Sequence, residues 1–211
     1  MLLLPIDRTW DGQPVDDIAL IALSATAEGL VLTALAPLVD DPKPEGPPGP
    51  TPKLWEHEVV ELFLAGPGPA YLEVELGPYG HHLVLQLADV RVPSAQGLPL
   101  ALQTRRSAGW WAAEATLPWT WVPRGWDRAN AYRIHGPPEA RRYLAHGALP
   151  GPAPDFHQPS RFPRLKPPPL TTESPRPNAA VAAAFRRAWT GPIDAEGLAA
   201  WTALAHAPIL R

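Results

Sequence analysis

The 211 residues contain no cysteine, so disulfides, thiolate zinc sites and a cysteine nucleophile are excluded. Lysine is scarce, with three against fifteen arginines. The net charge of −3 and pI near 6.1 give no basic surface for nucleic acid or an anionic membrane. No apolar run approaches the ~20 residues of a membrane helix. The opening MLLLPIDRTW meets Pro5 and Asp7 too soon for a signal peptide, which makes a soluble cytoplasmic protein the expectation. No G-x-S-x-G elbow surrounds any serine, and neither a G-x-G-x-x-G turn nor a phosphate-binding P-loop occurs. Nucleotide cofactor chemistry is therefore not expected, nor is any other cofactor.

Proline and tryptophan are abundant instead, thirty and nine respectively. That much proline disfavours long helices and suits a loop-rich β protein. Tryptophan fills cores, and it also makes flat platforms for the C–H faces of sugars. Strand signals occur twice within residues 15–36, then at 57–64, 71–77, 81–88, 98–104, 110–117 and 130–135. Turn chemistry such as AGPGPA and GPYG separates them, a spacing that predicts a sandwich or barrel. Residues 41–52, DPKPEGPPGPTP, hold six prolines in twelve and read as a stiff exposed loop. A second Pro-rich loop follows at 147–170. Residues 1–170 thus read as an antiparallel β-sandwich domain. Residues 171–211 read as a helical hairpin, with Asn178 and Asp194 as N-caps and Val181, Phe185 and Trp189 on one stripe. That tail would pack on the domain, or pair two chains into a homodimer.

The chemistry sits in LWEHEVVELFL, residues 54–64, where Glu56, Glu58 and Glu61 interrupt an apolar run. Glutamate is a poor strand former, so the acids ask for a reason. Alternation places Glu61 opposite Val60, Leu62 and Leu64, and Tyr71, Glu73 and Glu75 opposite Leu72, Val74 and Leu76. If the leucines of all neighbouring strands share one core, His82, Gln86, Arg133 and His135 join these acids on the other face. Such a face mixes donors and acceptors and suits a polyhydroxylated ligand better than a phosphate. A solvated outer sheet face has the same alternation.

LWEHEVVELFL followed by YLEVELGPYGHHLVLQL resembles the carbohydrate-binding module family 9 and DOMON-like sandwich. With LPW, AYRIHG and PDFHQPSRF added, the closer resemblance is to an uncharacterised family of that superfold, over about residues 10–165. The resemblance implies a β-sandwich with a sugar-like site in which Trp55 stacks and Glu61 binds hydroxyls. It leaves Trp119, Trp121 and Trp126 as candidates for a second stacking ring, and suggests that Asp155 and His157 close the site from the long loop.

The expected binding residues are thus Trp55, Glu61, Glu73, Glu75, His82, Arg133, His135, Asp155 and His157. The expected function is binding of a carbohydrate or similar small molecule. Two alternatives stay open: an enzyme using paired carboxylates or a metal held by His82, His135, His157 and Asp155, and an interaction protein acting through the tail.

Overall fold

The computed structural model describes residues 1–107, 109–149 and 151–170. Twelve strands form one sheet: β1 (Leu2–Thr9), β2 (Pro14–Ala25), β3 (Gly29–Pro37), β4 (Gly49–Pro50), β5 (Val59–Ala65), β6 (Tyr71–Leu76), β7 (His81–Asp89), β8 (Val92–Gln96), β9 (Gln103–Ser107), β10 (Trp110–Pro118), β11 (Arg128–His135) and β12 (Arg142–Ala145). Their order is β4-β7-β6-β5-β11-β12-β1-β2-β3-β10-β9, with β8 also on β7. Every pair is antiparallel except β4 on β7.

The expected sandwich with a helical hairpin is corrected in two respects. The sheet is continuous and curls into a half-barrel instead of splitting into two stacked layers. The reason is β12: it joins β11 to β1, meeting β1 at only Arg8–Ala145 and Thr9–Leu144, and so connects the two halves. A register shift in β1 between Ile6 and Arg8 lies at the same place and bends the sheet further. In addition, the described residues contain no α-helix, only three short 3₁₀ turns at Leu54–Glu56, Pro138–Ala140 and Pro159–Arg161. The C-terminal helical hairpin is thus unsupported, and residues 171–211 lie outside the described residues. No described helix is long and apolar enough to cross a membrane.

Curling brings the inner faces together. Leu4, Ile6, Ile21, Leu23, Leu32 and Trp111 from one half meet Leu62, Leu64, Leu72, Val74, Leu76 and Val84 from the other in a single buried cluster. A second, smaller cluster lies on the opposite face of β5, β6, β7 and β11 and includes Phe63, Tyr71, Leu83, Tyr132, Phe156 and Phe162. These four strands are therefore covered on both sides, and their leucines point both ways. That fact decides which polar residues meet.

The strand expectations at 57–64, 71–77, 81–88, 110–117 and 130–135 correspond to β5, β6, β7, β10 and β11. The segment 98–104 overlaps β9 only at its end, while β1, β8 and β12 were not anticipated. The Pro-rich run 41–52 does not stay wholly outside the sheet, since Gly49–Pro50 pairs with His81–His82.

Candidate functional site

The outward face of β5 and β6 carries acids in adjoining cross-strand rows. Tyr132, Glu61, Glu75 and Leu83 lie side by side across β11, β5, β6 and β7, and Phe63, Glu73 and Leu85 form the next row. Opposed residues in an antiparallel pair share a face with Cα atoms ~4.5–5.5 Å apart. Three carboxyl groups are thus held within one small patch, and all three are buried.

Burial raises all three pKa values, and repulsion from neighbouring carboxylates adds to it for Glu61 and Glu75. Glu61 is driven well above the ordinary carboxylate range by desolvation and by the charge of Glu73, against a smaller pull from Arg141. Glu75 is raised by desolvation and by its neighbours Glu61 and Glu73. Glu73 rises to about 7, chiefly through desolvation. Glu73 and Glu75 bond to each other, and the Trp55 backbone faces Glu75. Even so, Oε2 of Glu73 and both oxygens of Glu75 lack a partner of good hydrogen-bond geometry. At neutral pH the patch keeps protons, so its carboxyls donate as well as accept.

Above these acids opens a groove of about 850 Å³. Glu61 and Glu73 form the polar part of its floor, and Leu83, Leu85 and Leu87 the apolar part. Trp55, 42% exposed, stands at the rim, with Tyr143 and Phe156 on the walls. Glu75 lies beneath the floor, fully buried.

The far wall comes from the loop after β12. Phe156 stacks on Tyr132 with ring centroids 3.7 Å apart, and Phe63 meets Phe162 edge-on at 5.7 Å. These aromatic anchors bring Asp155 and His157 to the groove. His157 Nδ1 lies 2.7 Å from Tyr71 Oη and 3.9 Å from Glu73 Oε2. Tyr71 Oη accepts the Arg91 N–H at 3.1 Å and shares a hydrogen bond with His157 Nδ1 whose direction is set by the imidazole tautomer. Burial with the nearby Arg91 charge lowers the His157 pKa to about 4. Asp155 accepts from Arg91 at 3.0 Å and from the His157 N–H at 3.0 Å. Arg91 sits in the turn between β7 and β8 with φ 56°, the left-handed region. Tyr71→Phe removes the hydroxyl that bridges Arg91 and His157. We expect a loss of about 1 kcal/mol in urea unfolding, since the part-buried Arg91 N–H and His157 ring nitrogen both lose this partner.

Five of the nine expected residues line this groove: Trp55, Glu61, Glu73, Asp155 and His157. Glu75 adjoins it from below. His82, Arg133 and His135 do not, because β7 and β11 have the opposite parity from that expected. Leu83, Leu85 and Leu87 face the acids, while His82 turns to the other side and its Nε2 accepts the Leu100 N–H at 3.0 Å. Gln86 likewise reaches the Thr120 and Trp121 carbonyls. On β11, Tyr132 and Ile134 belong to the groove side. Arg133 lies in a separate buried network, donating to Asp17 at 3.3 Å, the Pro37 carbonyl at 2.9 Å and Glu58 at 3.5 Å. Glu58 also accepts from Trp111 Nε1 at 2.9 Å, and His135 Nε2 lies 3.1 Å from Asp17. With these histidines on opposite faces, the expected metal set does not assemble. Among the described residues no three His, Asp or Glu side chains are grouped to hold a metal ion.

Arg91, Tyr143 and Phe156 were not anticipated in the groove. A signal for Phe156 existed, since PDFHQPSRF places two aromatics in a proline-rich loop that would otherwise need no anchor.

No family model matches the chain. It is 41% identical over 163 residues to the "UPF0462 protein C4orf33 homolog" of Danio rerio, covering 72% of this chain and 83% of that protein. The human UPF0462 protein C4orf33 is 40% identical over 162 residues, with 72% and 81% covered. The chain belongs to the UPF0462 family. A solved structure described as a "putative carbohydrate-binding protein" from Bacteroides uniformis matches with TM-score 0.62 at 16% identity, covering 77% of this chain and 84% of that one. That match establishes a shared fold between a UPF0462 protein and this structure.

Proposed function

We propose that the chain binds a small polyhydroxylated ligand, a carbohydrate or close relative, in the groove over Glu61 and Glu73. The observation that carries this reading is the buried carboxyl patch with unmatched oxygens beneath a groove rimmed by Trp55. A solvated sheet face would leave its acids in water with ordinary pKa values. These acids are desolvated, protonated and bordered by apolar walls, an arrangement suited to hydroxyls below and a ring face at the side. The name of the Bacteroides structure agrees with this reading.

The test is calorimetric titration of the full chain with a panel of mono- and oligosaccharides. Any sugar that binds should lose at least ten-fold in affinity in Glu61→Gln and in Trp55→Ala. Unchanged affinity in both variants would contradict the assignment. Glu61→Gln alters the donor and acceptor pattern of the floor, and Trp55→Ala removes the rim ring.

Acid–base catalysis on the same ligand is a second reading. One arrangement favours it: Glu61 and Glu73 lie in adjoining rows and both line the groove, and burial raises Glu73 to about 7, as suits a general acid. Product formation from an oligosaccharide bound in the calorimeter, lost in Glu73→Gln, would establish it; recovery of that oligosaccharide unchanged would rule it out.

A further inference from the structure

We propose that the groove selects a ligand bearing a protonated amine on its polyhydroxylated frame, such as an amino sugar, with the ammonium between Glu61 and Glu73. This rests on the binding reading above. Three glutamates gather in one patch, and the bordering basic groups are already engaged with other partners. Arg91 donates to Asp155 at 3.0 Å. Arg141 donates to Asp41 at 3.3 Å and to backbone carbonyls including that of Trp55. Lys53 lies 3.5 Å from Glu56. His157 is hydrogen-bonded through Nδ1 to Tyr71 Oη and carries no charge at neutral pH.

Among the described residues no arginine or lysine donates a hydrogen bond to these carboxyls, although Arg91 and Arg141 pull on Glu73 and Glu61 through space. Glu73 is only 3% exposed, lines the groove and leaves Oε2 unpartnered. An ammonium has three donors and one charge, and it supplies what this atom and its neighbours lack. An anionic ligand would find no counter-charge in these protonated carboxyls. A bare metal ion fits less well, because the described residues form no metal-ligating group. An organic cation also gains from the aromatic side chains at the rim and wall, Trp55, Tyr143 and Phe156, through cation–π attraction.

Binding of an ammonium displaces a proton from the patch. Asp155 and Arg91 face each other across the same wall and stay paired, and Glu75 keeps its proton below the floor. The displaced proton is thus that of Glu61 or Glu73.

The test compares glucosamine, N-acetylglucosamine, glucose, n-butylamine and calcium chloride by calorimetry on the full chain at pH 6.5, in two buffers of different ionisation enthalpy. Glucosamine should bind at least ten-fold more tightly than the two neutral sugars and release a fraction of a proton. Glu73→Gln should erase that preference, lowering glucosamine affinity at least ten-fold more than it lowers glucose affinity. Equal affinity for all three sugars, or tighter binding of calcium than of glucosamine, overturns the amine inference and leaves the sugar reading standing. Binding of n-butylamine, lost in Glu73→Gln, with no sugar bound supports the cation and overturns the polyhydroxylated frame. Silence from all five probes overturns the amine inference, whereas the wider saccharide panel decides the binding reading.

Discussion

Arg133→Ala is expected to lose about 3–5 kcal/mol of stability, the usual effect of removing one member of a buried ion pair. Arg133 is fully buried and its guanidinium joins three parts of the curled sheet: Asp17 on β2, the Pro37 carbonyl at the end of β3 and Glu58 before β5. Without it, Glu58 keeps Trp111 Nε1 and the Val39 N–H as its donors among the described residues. Desolvation already raises the Glu58 pKa against the pull of Trp111 and Arg133, so the loss of Arg133 drives it to take a proton. The double variant Arg133→Met with Glu58→Gln should recover part of the loss, because the stranded charge is gone. Denaturant unfolding at pH 7 measures both, and equal destabilisation by the single and double variants would show that the ion pair is not the reason.

Stability should fall as pH rises from about 6.5 to 8, and Glu73→Gln should remove much of that fall. Glu73 moves from an ordinary 4.5 to about 7 on folding, so the folded state holds a proton that the unfolded chain has released. Its contribution is complete below pH 4.5 and is lost as pH climbs through 7. A shift of this size is equivalent to roughly 3 kcal/mol. Glu61 and Glu75 act in the same direction. His157, lowered to about 4, acts oppositely: its penalty lies at acid pH, where the unfolded imidazole charges first. His81, His82, His135 and His146 are lowered by burial as well, so the window above about pH 6.5, where unfolded imidazoles are neutral, reads the carboxyls most strongly. At pH 8 the glutamine variant should be more stable by about 2 kcal/mol, or about 4–8 °C in melting temperature for a chain of this size. At pH 4.5 the difference should nearly vanish.

These two predictions also mark how much of the architecture the sequence made legible. On β5 and β6, apolar residues alternate with acids, and Glu61, Glu73 and Glu75 are where that alternation places them. On β7 and β11 the rule failed because the sheet is apolar on both sides there. Leu83, Leu85 and Leu87 serve the groove-side cluster while Val84 serves the main core. A leucine row alone does not specify which of two cores it faces, so His82, Arg133 and His135 were assigned to the wrong side. Tyr132 and Ile134 carry the same ambiguity. The three acids of LWEHEVVELFL separate accordingly: Glu56 is exposed beside Lys53, Glu58 joins Arg133, and only Glu61 enters the groove.

The long-range pieces followed a different logic. Asp155 and His157 were reached through a resemblance of the PDFHQPSRF segment, and the structure supplies the physical cause: Phe156 and Phe162 pin that segment over Tyr132 and Phe63. Arg91 is invisible to alternation because it lies in a turn, where its backbone N–H and its guanidinium act on two different partners. The curl of the sheet depends on the four-residue β12, too short to announce itself by periodicity.

Everything proposed for the groove depends on Glu61, Glu73 and Glu75 sharing a desolvated patch. The most direct measurement is a ¹³C NMR titration of the glutamate Cδ resonances, assigned with the Glu61→Gln, Glu73→Gln and Glu75→Gln variants. The structure predicts that all three titrate above the ordinary carboxylate range, with Glu73 near 7, and that Glu73→Gln lowers the pKa of Glu61 and Glu75 while Glu61→Gln lowers that of Glu75. Three independent titrations between about 4 and 5, unaffected by one another's removal, would contradict it.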